Sequence, residues 1–403
     1  MSKGQSTTSD AHVTPLRVEL RDLLRAKILK TVEEILDEEL SAVLGCRRHE
    51  RTEDRRGYRN GKQERRITTE LGPATLRVPR GRIRQGDGST TEFESEVLPR
   101  YARRTRRVDE AILGIYLAGA NTRRIRKALQ PLLGTEHLSK SAISRVVARL
   151  KAHFLRWQER DLSAERYPIL YLDGLNLKVR LARRVISVPV LAVLGVAPDG
   201  RKQLVALRLA VSEASACWVG LITSLQKRNL SDPLLLVTDG HAGLRKALES
   251  WSSAKVQRCT VHKLRNLLDH CPVHARGEMK RDYAAIVRAR DGIAAREAYD
   301  AFVLKWRALC PSVAESLEEA GTKLLTFYEF PKAMWKSLRS TNTLENLNRE
   351  FRRRTKTQAS FSSESAAVTL LYSLVAFGQI RLHRITGYGA VKALLKEDWT
   401  TAA

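Results

Sequence analysis

From Pro15 to Leu44 apolar residues recur every three or four positions, in LRVELRDLLRAKILKTVEEILDEELSAVL, and this period predicts a helix. The pattern then breaks. The next stretch, CRRHERTEDRRGYRNGKQERR, has almost no apolar positions and reads as a basic loop or arm. Two short β-prone runs on either side of Gly72-Pro73, within residues 67–80, predict a hairpin. Helical spacing returns from 105 to 155 in three pieces. VDEAILGIYLAG runs to Gly119, TRRIRKALQPLLG opens after Asn121, and Ser139 is placed to cap SKSAISRVVARLKAHFL.

Beyond residue 168 the period shortens to two. In ILYLDGLNLKVR, Tyr171, Asp173, Leu175, Leu177 and Val179 fall on one face of a strand, and Asn176, Lys178 and Arg180 on the other. Asp173 thus stands on the apolar side, where a carboxylate is costly unless a cation or donors meet it. The ordinary alternative is a solvated acid at an irregularity before Gly174. Pro198-Asp199-Gly200 punctuates the next two β-rich runs, so three strands should form an antiparallel meander. A helix over Cys217–Lys227 follows, and then PLLLVTDG, whose unbroken apolar run is a strand buried on both faces that ends as Asp239 emerges. HAGLRKALESW is a short helix and KVQRCTVH a last strand; Lys263 to Arg339 is helical throughout. TNTLENLNREFRRRTK is a helix with Leu344, Leu347 and Phe351 on its apolar stripe and Glu345, Arg349 and Arg352 on another face. The plainest role for Glu345 is an ion pair with Arg349, worth a few tenths of a kcal/mol. Residues 363–384 make a further apolar helix.

Three hairpin-connected strands, a helix, and then strands alternating with helices is the order of a ribonuclease H-like fold. The expected fold class is therefore an α/β ribonuclease H-like catalytic domain with an all-α insertion, preceded by a mainly helical DNA-binding region. Expected boundaries are 1–100 for a helical, basic region with a small hairpin and 101–160 for a helix-turn-helix-like domain. The catalytic domain spans 161–262 and 340–403, and the insertion 263–339. The polar residues 1 to about 14 are expected to be disordered and the extreme C-terminus frayed.

Charge narrows the partners. The 403 residues carry a formal net charge of +27, which points to nucleic acid; an anionic membrane surface is the lesser alternative. Arg55, Arg56 and Arg59 in the basic arm are expected to touch phosphates, and Lys140, Ser144 and Arg145, near the start of the third helix, to contact bases. A solvated charged surface and plain helix packing are the ordinary alternatives. No apolar run approaches the ~20 residues that span a bilayer. Without an apolar signal core near its start, the chain is expected in the cytoplasm. Five scattered cysteines argue against a disulfide framework.

The chain resembles the Mutator-type transposases of bacterial insertion sequences, relatives of the plant Mutator elements. The resemblance rests on Tyr58-Arg59-Asn60-Gly61, Val78-Pro79-Arg80, Tyr171-Leu172-Asp173-Gly174, Thr238-Asp239-Gly240, Cys259 to Asn266, Phe330-Pro331, Thr341-Asn342-Thr343-Leu344-Glu345 and Arg352 to Lys356, in that order over most of the chain. It implies an Asp-Asp-Glu catalytic site on Asp173, Asp239 and Glu345. Breaking a phosphodiester with such acids calls for two Mg²⁺ (or Mn²⁺) ions roughly 3.5–4 Å apart. Asp173 would bridge both, with Asp239 and Glu345 holding one each. Cys259, His262 and Asn342 are expected to support the site, and Arg349, Arg352, Arg353, Arg354 and Lys356 to touch DNA. The implied partners are the terminal inverted repeats of the element, target DNA and a second protomer, in a nucleoid-associated cytoplasmic setting. A structure-selective nuclease or resolvase on the same fold, and a DNA-binding regulator without catalysis, are the competing readings. Cys271 and His274 repeat the Cys-x-x-His spacing of Cys259 and His262, but one helix of about 12 Å between the pairs argues against a shared zinc ion.

Overall fold

The computed structural model describes residues 13–50, 52–53, 55–120, 122–133, 139–181, 184–210, 214–357 and 363–395. The expectations for the N-terminal tail, for Asn121 and for the C-terminal end lie outside the described residues. The chain divides into two compact units, Met1–Tyr116 with Thr122–Val147, and Leu117–Asn121 with Ala148–Ala403. The sheet that carries Asp173 and the helical block that follows it thus lie in one unit.

In the first unit α1 (Val13–Leu44) lies along a three-stranded sheet of order β1-β2-β3. Leu36 is buried there with Ile67, Leu76, Val78 and Leu98, while Leu40 and Leu44 pack with Cys46 and Phe93. The strands are β1 (Gly57–Thr69), β2 (Gly72–Arg84) and β3 (Thr90–Glu92), all antiparallel. From Gly57 onward the basic stretch is therefore a strand, not a loop or arm. The reason lies in its partner. From Gly72 to Val78 every second residue of β2, among them Ala74, Leu76 and Val78, is buried, and β1 completes the backbone hydrogen bonds of that strand. Gly72 and Pro73 open β2, and Glu70 and Leu71 make the turn. The region expected to be mainly helical thus carries a three-stranded sheet with two strands of 13 residues. Three helices follow, α2 (Arg106–Leu117), α3 (Thr122–Leu133) and α4 (Lys140–Glu159). Ser139 caps α4, its Oγ accepting from the Ala142 N–H at 3.1 Å.

The second unit is built on a five-stranded sheet of order β6-β5-β4-β7-β8. The strands β4 (Ile169–Leu181), β5 (Arg184–Val196) and β6 (Lys202–Leu209) form an antiparallel meander. After α5 (Ser215–Lys227), β7 (Leu235–Thr238) pairs parallel to β4; after α6 (Ala242–Leu248), β8 (Lys255–Arg258) pairs parallel to β7. Leu170 and Leu172 of β4 are buried with Trp218, Leu221 and Ile222 of α5 and Leu244 of α6 on one face. A helical block follows: α7 (Thr260–His270), α8 (Arg276–Val287), α9 (Gly292–Leu309), α10 (Pro311–Ala320) and α11 (Trp335–Leu338). Leu267, Met279, Phe302, Trp306 and Leu317 share its core. Then α12 (Asn342–Thr357) packs on β4, α13 (Glu364–Ala376) on β4 and β6, and α14 (Val391–Leu394) follows. One boundary differs from expectation. The strand expected to reach His262 stops at Arg258, because the Cys259 N–H closes the ladder on the Thr238 carbonyl at 2.7 Å and the Thr260 N–H turns away to the Arg339 carbonyl. Cys259 becomes the cap residue of α7, and His262 lies in its first turn.

Candidate active site

Asp173 and Asp239 come together through strand register. The last pair of the parallel ladder between β4 and β7 is Leu172 with Thr238. Asp173 is the next residue on β4, still paired with Ala192 of β5, and Asp239 is the first residue past β7, so both acids stand at the carboxyl end of β7, where ligand sites in open α/β sheets collect. The backbone there is specific. Gly240 has φ +84°, and a Cβ on it would overlap the guanidinium of Arg258. The Asp239 Oδ1 accepts from the His241 N–H at 3.0 Å, which closes the turn.

Asp173 is 6% exposed. The Asn348 side-chain amide donates to its Oδ2 at 2.9 Å. Asn348 reaches it from α12, whose apolar stripe, Leu344, Leu347 and Phe351, is buried. The same helix carries Glu345 in its first turn. Glu345 does not pair with Arg349. It accepts from the Arg265 guanidinium at 2.9 Å and lies 3.3 Å from His262 Nε2, both on α7, while Arg349 donates to Asn346. At its other nitrogen, Nδ1, His262 is 3.3 Å from the Thr341 hydroxyl. The Thr341 N–H and hydroxyl both donate to Cys259 Sγ at 3.3 Å.

Protonation follows from these contacts. The hydrogen bond with Cys259, helped by the charges of Cys259, Glu345 and Asp173, pushes His262 up to about 8 against the effect of burial. Burial pushes the Cys259 thiol up, but hydrogen bonds with His262 and Thr341 outweigh it and hold the thiol below its ordinary value. His262 is thus a cation against the Glu345 carboxylate near neutral pH.

A second charged cluster supports the Asp239 turn from below. Glu319 of α10 accepts from both terminal nitrogens of Arg258 at 3.0 Å, from Lys263 at 2.8 Å and from Arg245 at 2.9 Å. Burial would raise the Glu319 carboxyl, yet the hydrogen bonds of Arg258 and Lys263 hold it at about 2.

Of the residues singled out in the sequence, Asp173, Asp239, Glu345, Cys259 and His262 lie in this region. Asn342 opens α12 on its exposed side, and the contacts to Cys259 and His262 come from Thr341 beside it. The basic residues of α12 fall into two groups. Arg349, Arg352 and Lys356 are exposed, whereas Arg353 is tied to Glu350 and Arg354 is half-buried. In the first unit Arg56, Ser144 and Arg145 are exposed, and only the backbone of Lys140 is described. The Arg55 Nε donates to the Gly57 carbonyl, and Arg59 is engaged with Asp37 and Ser41. Arg59 is therefore a structural ion pair within its unit. Sequence reasoning missed Asn348, Arg265 and Thr341. Asn348 was within reach of it, since it follows Glu345 by three positions and so shares its helix face.

The donor chemistry suits a hard divalent cation, which takes carboxylate and amide oxygens. Among the described residues no three His, Cys, Asp or Glu side chains already surround one point as metal ligands. Glu345 is turned instead to the cations of α7. One buried oxygen, Asn348 Oδ1, has no hydrogen-bond partner, and it belongs to the amide that holds Asp173. An oxygen left open beside a buried carboxylate fits a site that takes up a further group.

A family model described as "Transposase, Mutator family" matches residues 3–379. The chain is 34% identical over 375 residues to the transposase for insertion sequence element ISRM5 of Rhizobium meliloti (strain 1021), covering 93% of this chain and 92% of that one. It is 31% identical over 373 residues to the transposase for insertion sequence element IS905 of Lactococcus lactis subsp. lactis (strain IL1403), covering 92% of each. The transposase for IS256 in transposon Tn4001 of Staphylococcus aureus is 31% identical over 360 residues, 87% of this chain and 89% of that one.

Proposed function

The chain belongs to the Mutator family of transposases, and from that premise we propose that it binds the ends of its element and cuts and joins DNA at Asp173, Asp239 and Glu345. A transposase cleaves DNA and transfers the cut strand. The finer reading adds a ribonuclease H-like sheet, a three-acid site and divalent ions. The observation that carries it is the register of β4 and β7, which makes Asp173 and Asp239 neighbours under the helix that bears Glu345.

The three carboxylates would hold Mg²⁺ or Mn²⁺, and such ions, when bound, activate the attacking oxygen and stabilise the leaving one. The chain's own residues supply the rest. Asn348 fixes the Asp173 carboxylate from its buried side. His262 and Arg265 pair with Glu345 and set the direction of its carboxylate. Cys259 and Thr341 hold the ring of His262 toward Glu345. Arg349 and Arg352, exposed on the same helix as Glu345, are placed to meet phosphates of the strand being cut. Two ends must be held together for joining, so two protomers act in one complex.

The test is labelled element-end DNA with Mg²⁺. The native chain should give cleaved and joined products. Asp173→Ala, Asp239→Ala and Glu345→Ala should each lose both while still shifting the DNA on a gel. Near-native cleavage by one variant removes that residue from the site, and nicks without joined products reduce the activity to that of a nuclease.

A further inference from the structure

Strand alternation sorts the basic residues of the first sheet onto two sides. One side is turned to α1. Leu76 and Val78 are buried there with Leu36, and a Cβ on Gly81 would stand 2.7 Å from the Leu40 side chain. Arg59, paired in register with Gly81, reaches Asp37 and Ser41 of α1. Arg65, paired with Leu76, is spent on the carbonyls of Pro99 and Ala102. The residues between these point away from α1. Thr75 and Arg77 are exposed; Val78 and Pro79 are both buried, and past them alternation resumes with Arg80, Arg82 and Arg84 exposed around Gly81. On β1, Arg66 lies opposite Thr75, and Tyr58 lies opposite Arg82. Arg56 lies beside Arg84, whose N–H donates to its carbonyl at 2.7 Å.

Charge selects the occupant of this side. Two acids share it with the arginines. Glu64 lies opposite Arg77, and Glu92 is taken by Arg80 at 3.3 Å and by Arg100 at 3.2 Å. Among the described residues the side chains of Arg56, Arg66, Arg77, Arg82 and Arg84 have no ion-pair partner. Every cation in the row is arginine, whose planar fork fits a phosphate with two parallel hydrogen bonds. Arg80, Arg82 and Arg84 recur about 6.8 Å apart, and Arg77 to Arg84 span about 24 Å. A row of that length suits an extended polyanion rather than a single small anion. Duplex DNA carries one charge per ~1.7 Å of its axis. Tyr58 is the large apolar side chain exposed among these strand residues, so the surface has little to insert into lipid.

We propose that the side of the β1–β2 sheet turned away from α1 grips the phosphate backbone of duplex DNA, independently of base sequence, with Arg82 and Arg84 among its contacts. This surface rests on the DNA-binding reading above and gives that reading a place in the fold. It also separates basic residues that look alike in the chain. Arg56 and Arg66 belong to the grip, whereas Arg59 and Arg65 hold the unit together.

Binding of the full chain to labelled duplexes, followed by fluorescence anisotropy over a range of salt, tests it. Arg82→Gln with Arg84→Gln should reduce the slope of log affinity against log salt by about two, equally on element-end and on random duplex. Arg82→Lys with Arg84→Lys should keep the native slope, because lysine still neutralises a phosphate as a point charge. Lys27→Gln with Lys30→Gln removes the same charge from exposed positions on α1, across the sheet, and should also leave the slope native. Circular dichroism checks that each variant is folded; should the Arg82 and Arg84 glutamine pair not fold, Arg66→Gln with Arg77→Gln carries the same expectation. A native slope in the folded arginine-to-glutamine variant overturns the surface and leaves DNA binding by the chain standing. An equal fall in the α1 pair traces the effect to the field of the whole chain and overturns it as well. A loss confined to element ends means base reading and overturns the phosphate grip. A native chain that binds neither duplex overturns both this surface and the DNA-binding reading.

Discussion

Replacing Asn348 with leucine separates a functional hydrogen bond from a structural one. The side chain keeps nearly the same size, but the donor to Asp173 Oδ2, now at 2.9 Å, is lost. A hydrogen bond to a charged group contributes about 1.5–3 kcal/mol. If that energy holds the carboxylate in its reacting position, its loss slows cleavage by about 10- to 150-fold. Stability should respond differently. Asn348 is 3% exposed and its Oδ1 has no partner, an arrangement that itself costs about 1–3 kcal/mol. Leucine removes that cost along with the donor, so the two changes nearly cancel. With about 2–4 °C per kcal/mol for a unit of this size, the melting temperature should stay within about 3 °C of native. The assays are single-turnover cleavage of labelled end DNA in Mg²⁺ and thermal unfolding by circular dichroism. A cleavage rate within twofold of native would refute the positioning role. A fall of more than about 10 °C in melting temperature would show that Asn348 anchors the fold instead.

Three further outcomes are expected. Gly240→Ala places a Cβ against the Arg258 guanidinium at a backbone angle of +84°; the backbone strain of about 1–2 kcal/mol alone should lower the melting temperature by about 2–8 °C, and an unchanged value would contradict the described turn. Glu319 is held at about 2, below its ordinary 4.5, so its ion pairs contribute stability that is present above pH 4.5 and lost as pH falls through 2. Glu319→Gln should therefore flatten the acid limb of a stability–pH curve while lowering stability at pH 7, and an acid limb of native steepness would rule the cluster out as its cause. Arg352→Ala, at an exposed position on α12, should weaken DNA binding and reduce the slope of log affinity against log salt by about one; an unchanged slope would take Arg352 out of the interface.

The sequence by itself determined the order of elements from β4 to β8 and the helix that carries Glu345, and it singled out Asp173, Asp239 and Glu345 as candidates. Period-two alternation in Ile169 to Arg180, the buried run before Asp239 and the apolar stripe of Leu344, Leu347 and Phe351 are local signals, and each survives intact as β4, β7 and α12. The extra charge, +27, likewise needs no coordinates. Tertiary structure decided what each charge is for. The run from Gly57 to Arg66 looks like a free arm because almost nothing in it is apolar, yet it becomes β1, since strand formation there depends on the hydrogen bonds and buried face of β2, a separate segment. Arg59 is spent on Asp37, 22 positions earlier. Glu345 ignores Arg349 one turn away and pairs with Arg265, 80 positions back, because packing of α7 beside α12 offers a bidentate cation together with His262. Asn348 meets Asp173 across 175 positions. Periodicity records which face a residue occupies, and only the fold sets which faces meet, so carboxylates were legible in the chain and their partners were not.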